Sequence, residues 1–185
     1  MSEKEKDLVE MVLEGNLDAF EPLVSPYRRI LLSFAYRMSG NLEDAKEISQ
    51  ETLMRAFKYL KRYDPKRSFK NWLFQILVNV ARRFSQKKER IQNFYSLSQT
   101  AEQLSPQQNY IQKQLKTQLL ECLDILSSRE REVFLLRDIE NCGDEESAKI
   151  LGCSSISVRV HLSAARKKIK ERIKEKFPYL WEEKR

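Results

Sequence analysis

Few residues in this chain could carry covalent chemistry. Its 185 residues include one histidine, His161, three cysteines, Cys122, Cys142 and Cys153, and four glycines. A Ser-His-Asp or Cys-His nucleophile would have to use His161. That residue sits in a basic helical segment and reads as a surface or phosphate-facing side chain. No CxxC or HxxxH pair supplies zinc-ligand spacing, and no GxGxxG or GxxxxGK[ST] loop is present to cradle phosphates. The cysteines form no disulfide framework; Cys122 lies on an apolar helix stripe and reads as core. The expectation is no catalytic residue, no metal and no cofactor.

What remains is recognition chemistry. Lysine and arginine number 34 against 27 aspartates and glutamates, a net charge of +7. That balance favours a polyanionic partner, nucleic acid or an anionic membrane. No apolar run approaches the roughly 18 residues a membrane span needs. The first residues, Met1-Ser-Glu-Lys-Glu-Lys-Asp7, lack an apolar signal core. A cytoplasmic location without membrane insertion is expected.

Three groups of residues could do that recognition. Near the C-terminus, Asp144 to Gly152 and Cys153 to Arg166 read as a short helix, a glycine turn and a second capped helix, a helix-turn-helix. Val158, Leu162, Ala165, Ile169 and Ile173 recur at spacings of three and four and form an inward stripe. The outward face holds Ser154, Ser155, Arg159, Val160, Ser163 and Ala164, where a recognition helix reaches base edges. Arg166, Lys167, Lys168, Lys170, Arg172 and Lys174 follow, within reach of phosphates. The second group is the basic and aromatic stretch Arg67 to Arg90. There, Lys70, Arg82, Arg83, Lys87, Lys88 and Arg90 accompany Phe69, Trp72, Phe74 and Asn79. Cations beside aromatics and amides suit single-stranded nucleic acid, although the spacing of Trp72 and Phe74 with Leu73 and Leu77 favours core for those two rings. Third, Glu43, Asp44, Glu47, Gln50 and Glu51 make an acidic stripe. It is either solvated or a docking surface for a basic protein.

Helices must position all three groups, because no segment alternates like a strand. Gly15-Asn16 predicts a stop and a cap before Leu17. Ser25-Pro26 reads as N-cap and N1 of a helix carrying Ile30, Leu31, Phe34, Ala35 and Met38. Gly40 ends it and Asn41 caps the next, from about Leu42 to Tyr63, with an inward stripe of Leu42, Ala45, Ile48, Leu53, Ala56, Phe57 and Leu60. Asp64-Pro65 stops that helix and Ser68 caps Phe69 to Phe84. From Ile91 to Gln108, Ser, Gln and Thr accumulate, as in a flexible linker. Ser105-Pro-Gln-Gln108 and Ser127-Ser-Arg-Glu130 both have capping-box form. They open helices expected to run to about Leu126 and over Arg129 to Glu140. The last helix, capped by Ser154 or Ser155, runs to about Phe177. The expected fold is all-α, two small helical domains joined by a flexible linker.

Taken in order, these features resemble a bacterial RNA polymerase sigma factor of the extracytoplasmic-function type, in the sigma-70 family. Asp44 to Thr52, Phe69 to Asn79, Ser128 to Asp138, and Leu151 to Ser154 with Val158-Arg159 carry the resemblance, which spans about Leu17 to Ile173. It implies domain 2 over residues 8–90, a linker over 91–108 and domain 4 over 109–177. It also implies a function: binding core RNA polymerase and directing it to promoters. Asp44, Glu47, Gln50 and Glu51 would dock on the polymerase clamp. Lys70, Asn79, Arg82, Arg83, Lys87 and Lys88 would melt and read the −10 element. Ser154, Ser155, Arg159, Val160, Ser163, Ala164, Arg166 and Lys167 would contact the duplex −35 element. The chain would be a monomer when free and could be held by an anti-sigma factor.

The chain departs from the family pattern at several places. Ser127-Ser128 stands where the family usually has Leu-Pro, Ser147 occupies a usually apolar position, and Val160 and Ala164 replace a polar and a basic residue. Fewer donors on that face point to more backbone contact and shape readout. The competing reading is an autonomous helix-turn-helix regulator of response-regulator or repressor type, which needs neither the acidic helix nor the aromatic-basic segment. A zinc-dependent or nucleic-acid-processing enzyme is the third, disfavoured by the lone histidine.

Overall fold

The computed structural model of the protein describes residues 3–95, 120–176 and Pro178. Among these, every regular element is helical. The chain divides into two units, residues 1–86 with 148–153 and residues 87–147 with 154–185.

In the first unit, α1 (Glu3–Leu13) precedes a 3-10 turn (Leu17–Ala19) and α2 (Phe20–Ser39). The start of α2 differs from the sequence reading, which began this helix at Ser25-Pro26; Pro26 lies inside it. Pro22 sits in the first turn, where the missing N–H costs nothing. Pro26 forfeits one backbone bond and crowds the Pro22 carbonyl, a cost of ~3 kcal/mol. Burying Leu23 and Val24 returns roughly 1.5–3 kcal/mol each, so the apolar face decides for helix.

Gly40 closes α2 in the left-handed conformation, φ 71°, with its N–H donating to Tyr36 O. Asn41 then caps α3 (Leu42–Tyr59), its Oδ1 accepting from Glu43 N at 2.8 Å and Asp44 N at 3.1 Å. The inward line of α3 is Ala45, Ile48, Ser49, Thr52 and Ala56. This corrects the stripe read from apolar residues alone: Leu42 and Phe57 are 50% and 42% exposed. The small side chains at 45, 49, 52 and 56 let α3 lie close against α2. Thr52 meets its polar need locally, donating to Ile48 O at 2.7 Å.

A 3-10 turn (Leu60–Arg62) and a loop lead to α4 (Phe69–Tyr95). Tyr63 Oη ties the loop by donating to Arg67 O at 2.6 Å, and Ser68 Oγ accepts from Asn71 N. Tyr63 and Trp72 pack around the buried Phe69 with centroids 5.0–5.6 Å apart, and Phe74 meets Phe34 of α2 at 5.1 Å. Phe74 is core, as its spacing suggested, while Trp72 is half-buried. The helix runs past Ile91, where a linker was expected. No Gly or Pro interrupts residues 84–95, so nothing local breaks it. The remainder of the linker reading, the Ser105 capping box and the residues after Pro178 lie outside the described residues.

Beyond α4, residues 120–123 form a helical turn, which packs Cys122 and Leu123 inward. Ser127 and Glu130 form a reciprocal capping box that starts α5 (Ser128–Phe134). The helix then widens into a π turn, Leu135–Ile139, with Glu140 N donating to Leu135 O. After the turn, Asn141 takes φ 56° and α6 (Asp144–Leu151) begins. Gly152 (φ 66°) ends α6, and Cys153 N donates to Ala148 O at 3.0 Å. This is the 6→1 bond of a Schellman stop. Ser154 Oγ accepts from Ser157 N at 3.1 Å and starts α7 (Ser155–Lys176). Val158, Leu162 and Ala165 are buried; Ile169 and Ile173 are half-buried.

Candidate nucleic-acid interface

Helices α3 and α4 carry two surfaces of opposite sign. On α4 the buried residues Leu73, Phe74, Leu77, Val78 and Ala81 anchor one side. Asn79, Arg83 and Lys87, at spacings of four, form an exposed line on the other, with Arg82 half-buried beside them and Lys88 exposed. Residues so spaced are neighbours on a helix surface, so the amide and the cations form one continuous strip. Lys70, a half-buried residue nearer the start of the helix, places Nζ 5.5 Å from the Phe74 ring centroid.

A second mixture of cations and aromatics lies at the end of α3, outside the basic and aromatic stretch Arg67 to Arg90 that the sequence pointed to. Tyr59 is 37% exposed. Lys58 Nζ and the Arg62 guanidinium lie 5.7 Å and 5.2 Å from its ring centroid, within cation–π range. The signal was present as Lys58-Tyr-Leu-Lys-Arg62, but there the pattern reads as the end of an amphipathic helix.

The acidic surface is on α3. Glu47 and Gln50 are exposed; Asp44 and Glu51 are half-buried. Glu47, Gln50, Glu51 and Met54 line a cleft of about 210 Å³ with Val80 and Phe84 of α4. Asp44 is not part of that lining and sits nearer the Asn41 cap. Glu51 accepts from Arg55 Nε at 2.6 Å. Met54, 60% exposed, gives the acidic surface an apolar centre that the sequence reading missed, because Met54 lies off the inward stripe.

In the second unit, Ser154 is exposed just before α7, Arg159, Val160, Ser163 and Lys167 are exposed on it, and Ser155 and Ala164 are half-exposed. The basic residues beyond them divide into two sorts. Arg166 is bound twice by Asp138 of the π turn, Nε to Oδ2 at 2.8 Å and NH2 to Oδ1 at 2.6 Å. The carboxylate holds the guanidinium's pKa above its ordinary value. Lys168 Nζ donates to Glu130 Oε2 at 2.7 Å, and Lys176 Nζ to Glu121 Oε2 at 2.7 Å. The Lys168 ammonium, chiefly, draws the Glu130 carboxyl below its ordinary 4.5. These pairs tie α7 to the preceding helices, whereas Arg159 and Lys167 point outward. Arg137 pairs with Asp144 at 2.8 Å and braces the start of α6.

His161 is half-buried on α7. Among the described residues, no group of three or more His, Cys, Asp or Glu side chains is placed to hold a metal ion. No helix among them is long and apolar enough to cross a membrane.

Residues 23–91 match Sigma-70 region 2, and residues 116–169 match Sigma-70, region 4. The chain belongs to the sigma-70 family. Region 2 takes in α3 and the strip on α4; region 4 takes in α5, α6 and most of α7. Among curated proteins, this family member is 31% identical to the ECF RNA polymerase sigma factor SigE of Mycolicibacterium smegmatis, over 85% of this chain and 63% of that protein. It is 27% identical to SigG of Mycobacterium tuberculosis, over 81% of this chain and 47% of the other. The chain thus spans about half to two thirds of the length of those two relatives. Against SigW of Bacillus subtilis the identity is 24%, over 92% and 97%. Two solved structures share the fold. One is the sigma factor RpoE in complex with the anti-sigma factor NepR from Bartonella quintana (TM-score 0.70, 24% identity, 84% of this chain and 96% of that one). The other is CnrH in complex with the cytosolic domain of CnrY (TM-score 0.71, 24% identity, 94% and 99%).

Proposed function

We propose that this sigma-70 family member binds core RNA polymerase and directs it to promoters by their −10 and −35 elements. The observation that carries the reading is the separation of charge between α3 and α4. An acidic, Met54-centred surface lies on α3, and a basic strip with Asn79 lies on α4. A protein that only bound duplex DNA would gain nothing from the acidic surface, which repels phosphates. A polymerase subunit needs both. In this reading Asp44, Glu47, Gln50 and Glu51 meet a basic helical partner on the polymerase clamp. Lys70, Asn79, Arg82, Arg83, Lys87 and Lys88 take the melted −10 strand, with Tyr59 and its flanking cations an added stacking platform.

The second unit takes the −35 duplex. Ser154, Ser155, Arg159, Val160, Ser163 and Ala164 face the major groove, and Lys167 the phosphates. Arg166 lies at the edge of this set, held by Asp138. Domain 2 over residues 8–90, a linker over 91–108 and domain 4 over 109–177 complete the assignment. The bond-making chemistry belongs to the polymerase, so the chain acts as an initiation factor in the cytoplasm without catalytic residues of its own. RpoE is seen in complex with an anti-sigma factor, and a partner of that kind is proposed for this chain as well.

The test is promoter-dependent transcription with and without core polymerase, from a library of promoters. Promoter-specific transcripts that need both the chain and core support the reading. Tight duplex binding by the chain alone, with no added transcript when core is present, would refute it and leave an autonomous regulator.

A further inference from the structure

The first two turns of α7 expose two large β-branched side chains. Ile156 is 65% exposed and Val160 61%, and no large hydrophobic among the described residues is more exposed than Ile156. At a spacing of four they are neighbours on one face. They contribute nothing to the core, which α7 meets through Val158, Leu162 and Ala165. Arg159, Ser163 and Lys167, all exposed, surround them. Two such side chains are far too small for a stable protein interface, which needs about 800 Å² from each partner, and their cationic surroundings suit a polyanion.

The proposed −35 contact supplies the missing partner, and the inference rests on that reading. Side chains from the start of a recognition helix reach the edges of bases in the major groove. Isoleucine and valine have neither donor nor acceptor to offer there. The one apolar group on those edges is the 5-methyl of thymine. We infer that Ile156 and Val160 read thymine methyl groups in the upstream promoter element. This assigns sequence selectivity to Ile156, which the polar and basic residues of the helix leave unexplained. It also makes Val160 a contact through shape and dispersion rather than a lost hydrogen bond.

The experiment uses the full chain bound to core polymerase and a duplex library randomised over the upstream element. The enriched duplex is then remade with deoxyuridine in place of each thymine in turn, which removes the methyl and keeps every hydrogen-bonding group. Wild type should lose about fourfold in affinity at one or two positions, the equivalent of one buried methyl-sized group. Ile156→Ala or Val160→Ala should abolish that loss at one position each, so that each variant differs from wild type less on the uridine duplex than on the thymine duplex. Both side chains are exposed, so neither change threatens the fold. Indifference of wild type to every uridine would overturn the inference, as would variants that remain as sensitive as wild type. If wild type enriches no upstream sequence at all, the −35 reading itself fails and the methyl contact with it.

Discussion

Arg166 lies on a basic helix, yet the structure engages it with Asp138. The perturbations that separate a braced residue from a phosphate contact are Arg166→Ala, Asp138→Asn and, as internal control, Lys167→Ala. The ion pair is bidentate, at 2.6 and 2.8 Å, with the arginine side chain 58% exposed and the aspartate 23%. Exposed pairs contribute about 0.2–1 kcal/mol, and the fork geometry places this one at the upper end. A double-mutant cycle followed by denaturant unfolding should therefore give a coupling of about 0.5–1 kcal/mol. The DNA consequence follows from counting free cations. Each lysine or arginine that neutralises a phosphate adds ~0.9 to the slope of log affinity against log salt. Lys167→Ala should lower the slope of holoenzyme binding to duplex promoter DNA by about that much. Arg166→Ala should change it far less, because its charge is already met by Asp138. Asp138→Asn should raise it, since the guanidinium is released toward the phosphates. If Arg166→Ala and Lys167→Ala lower the slope equally, and Asp138→Asn leaves it unchanged, the pair opens on DNA and the reasoning is wrong.

Three further outcomes are expected. Glu47→Lys with Glu51→Lys should weaken core polymerase binding while helicity is kept, since the Glu51–Arg55 pair is worth only about 0.3–0.5 kcal/mol; unchanged core affinity would remove α3 from the docking surface. Glu130→Gln should cost about 0.3–1.5 kcal/mol near neutrality through the weakened capping box and the lost Lys168 pair. Because the Glu130 carboxyl titrates below 4.5 in the fold, its contribution is complete above that value and lost as pH falls through the folded-state pKa, so variant and wild type should converge in acid unfolding. Ser147 is fully buried and its Oγ makes no hydrogen bond among the described residues, so Ser147→Ala should raise stability by about 1 kcal/mol, read as a higher denaturant midpoint; a lower midpoint would mean the hydroxyl has a partner.

The helix starts were legible because caps are local. Asn41, Ser68, Ser127 and Ser154 each accept from a backbone N–H two or three residues ahead, and the same holds in any short segment. Gly40 and Gly152 were legible as stops for the same reason. The misread start of α2 was a conflict between a local signal and a tertiary one. Ser25-Pro26 has cap form, but burial of Leu23 and Val24 outweighed it. The inward line of α3 was hidden because Ser49 and Thr52 are polar by type and buried by position. Small volume, not hydrophobicity, admits them to the α2 interface.

The candidate surfaces divide in the same way. Sequence alone determined the two families of helices, the helix-turn-helix, the acidic run on α3 and the basic run on α4, because spacing along a helix dictates which residues share a face. It could not determine which cations are spent inside the fold. Asp138 and Arg166 are 28 residues apart, Glu130 and Lys168 38, Glu121 and Lys176 55. Only packing of α7 against the preceding helices brings those charges together. The same packing turns Val158, Leu162 and Ala165 inward and leaves Ile156 and Val160 facing water. Periodicity names the faces of a helix; the neighbours it packs against decide which face is left for a partner.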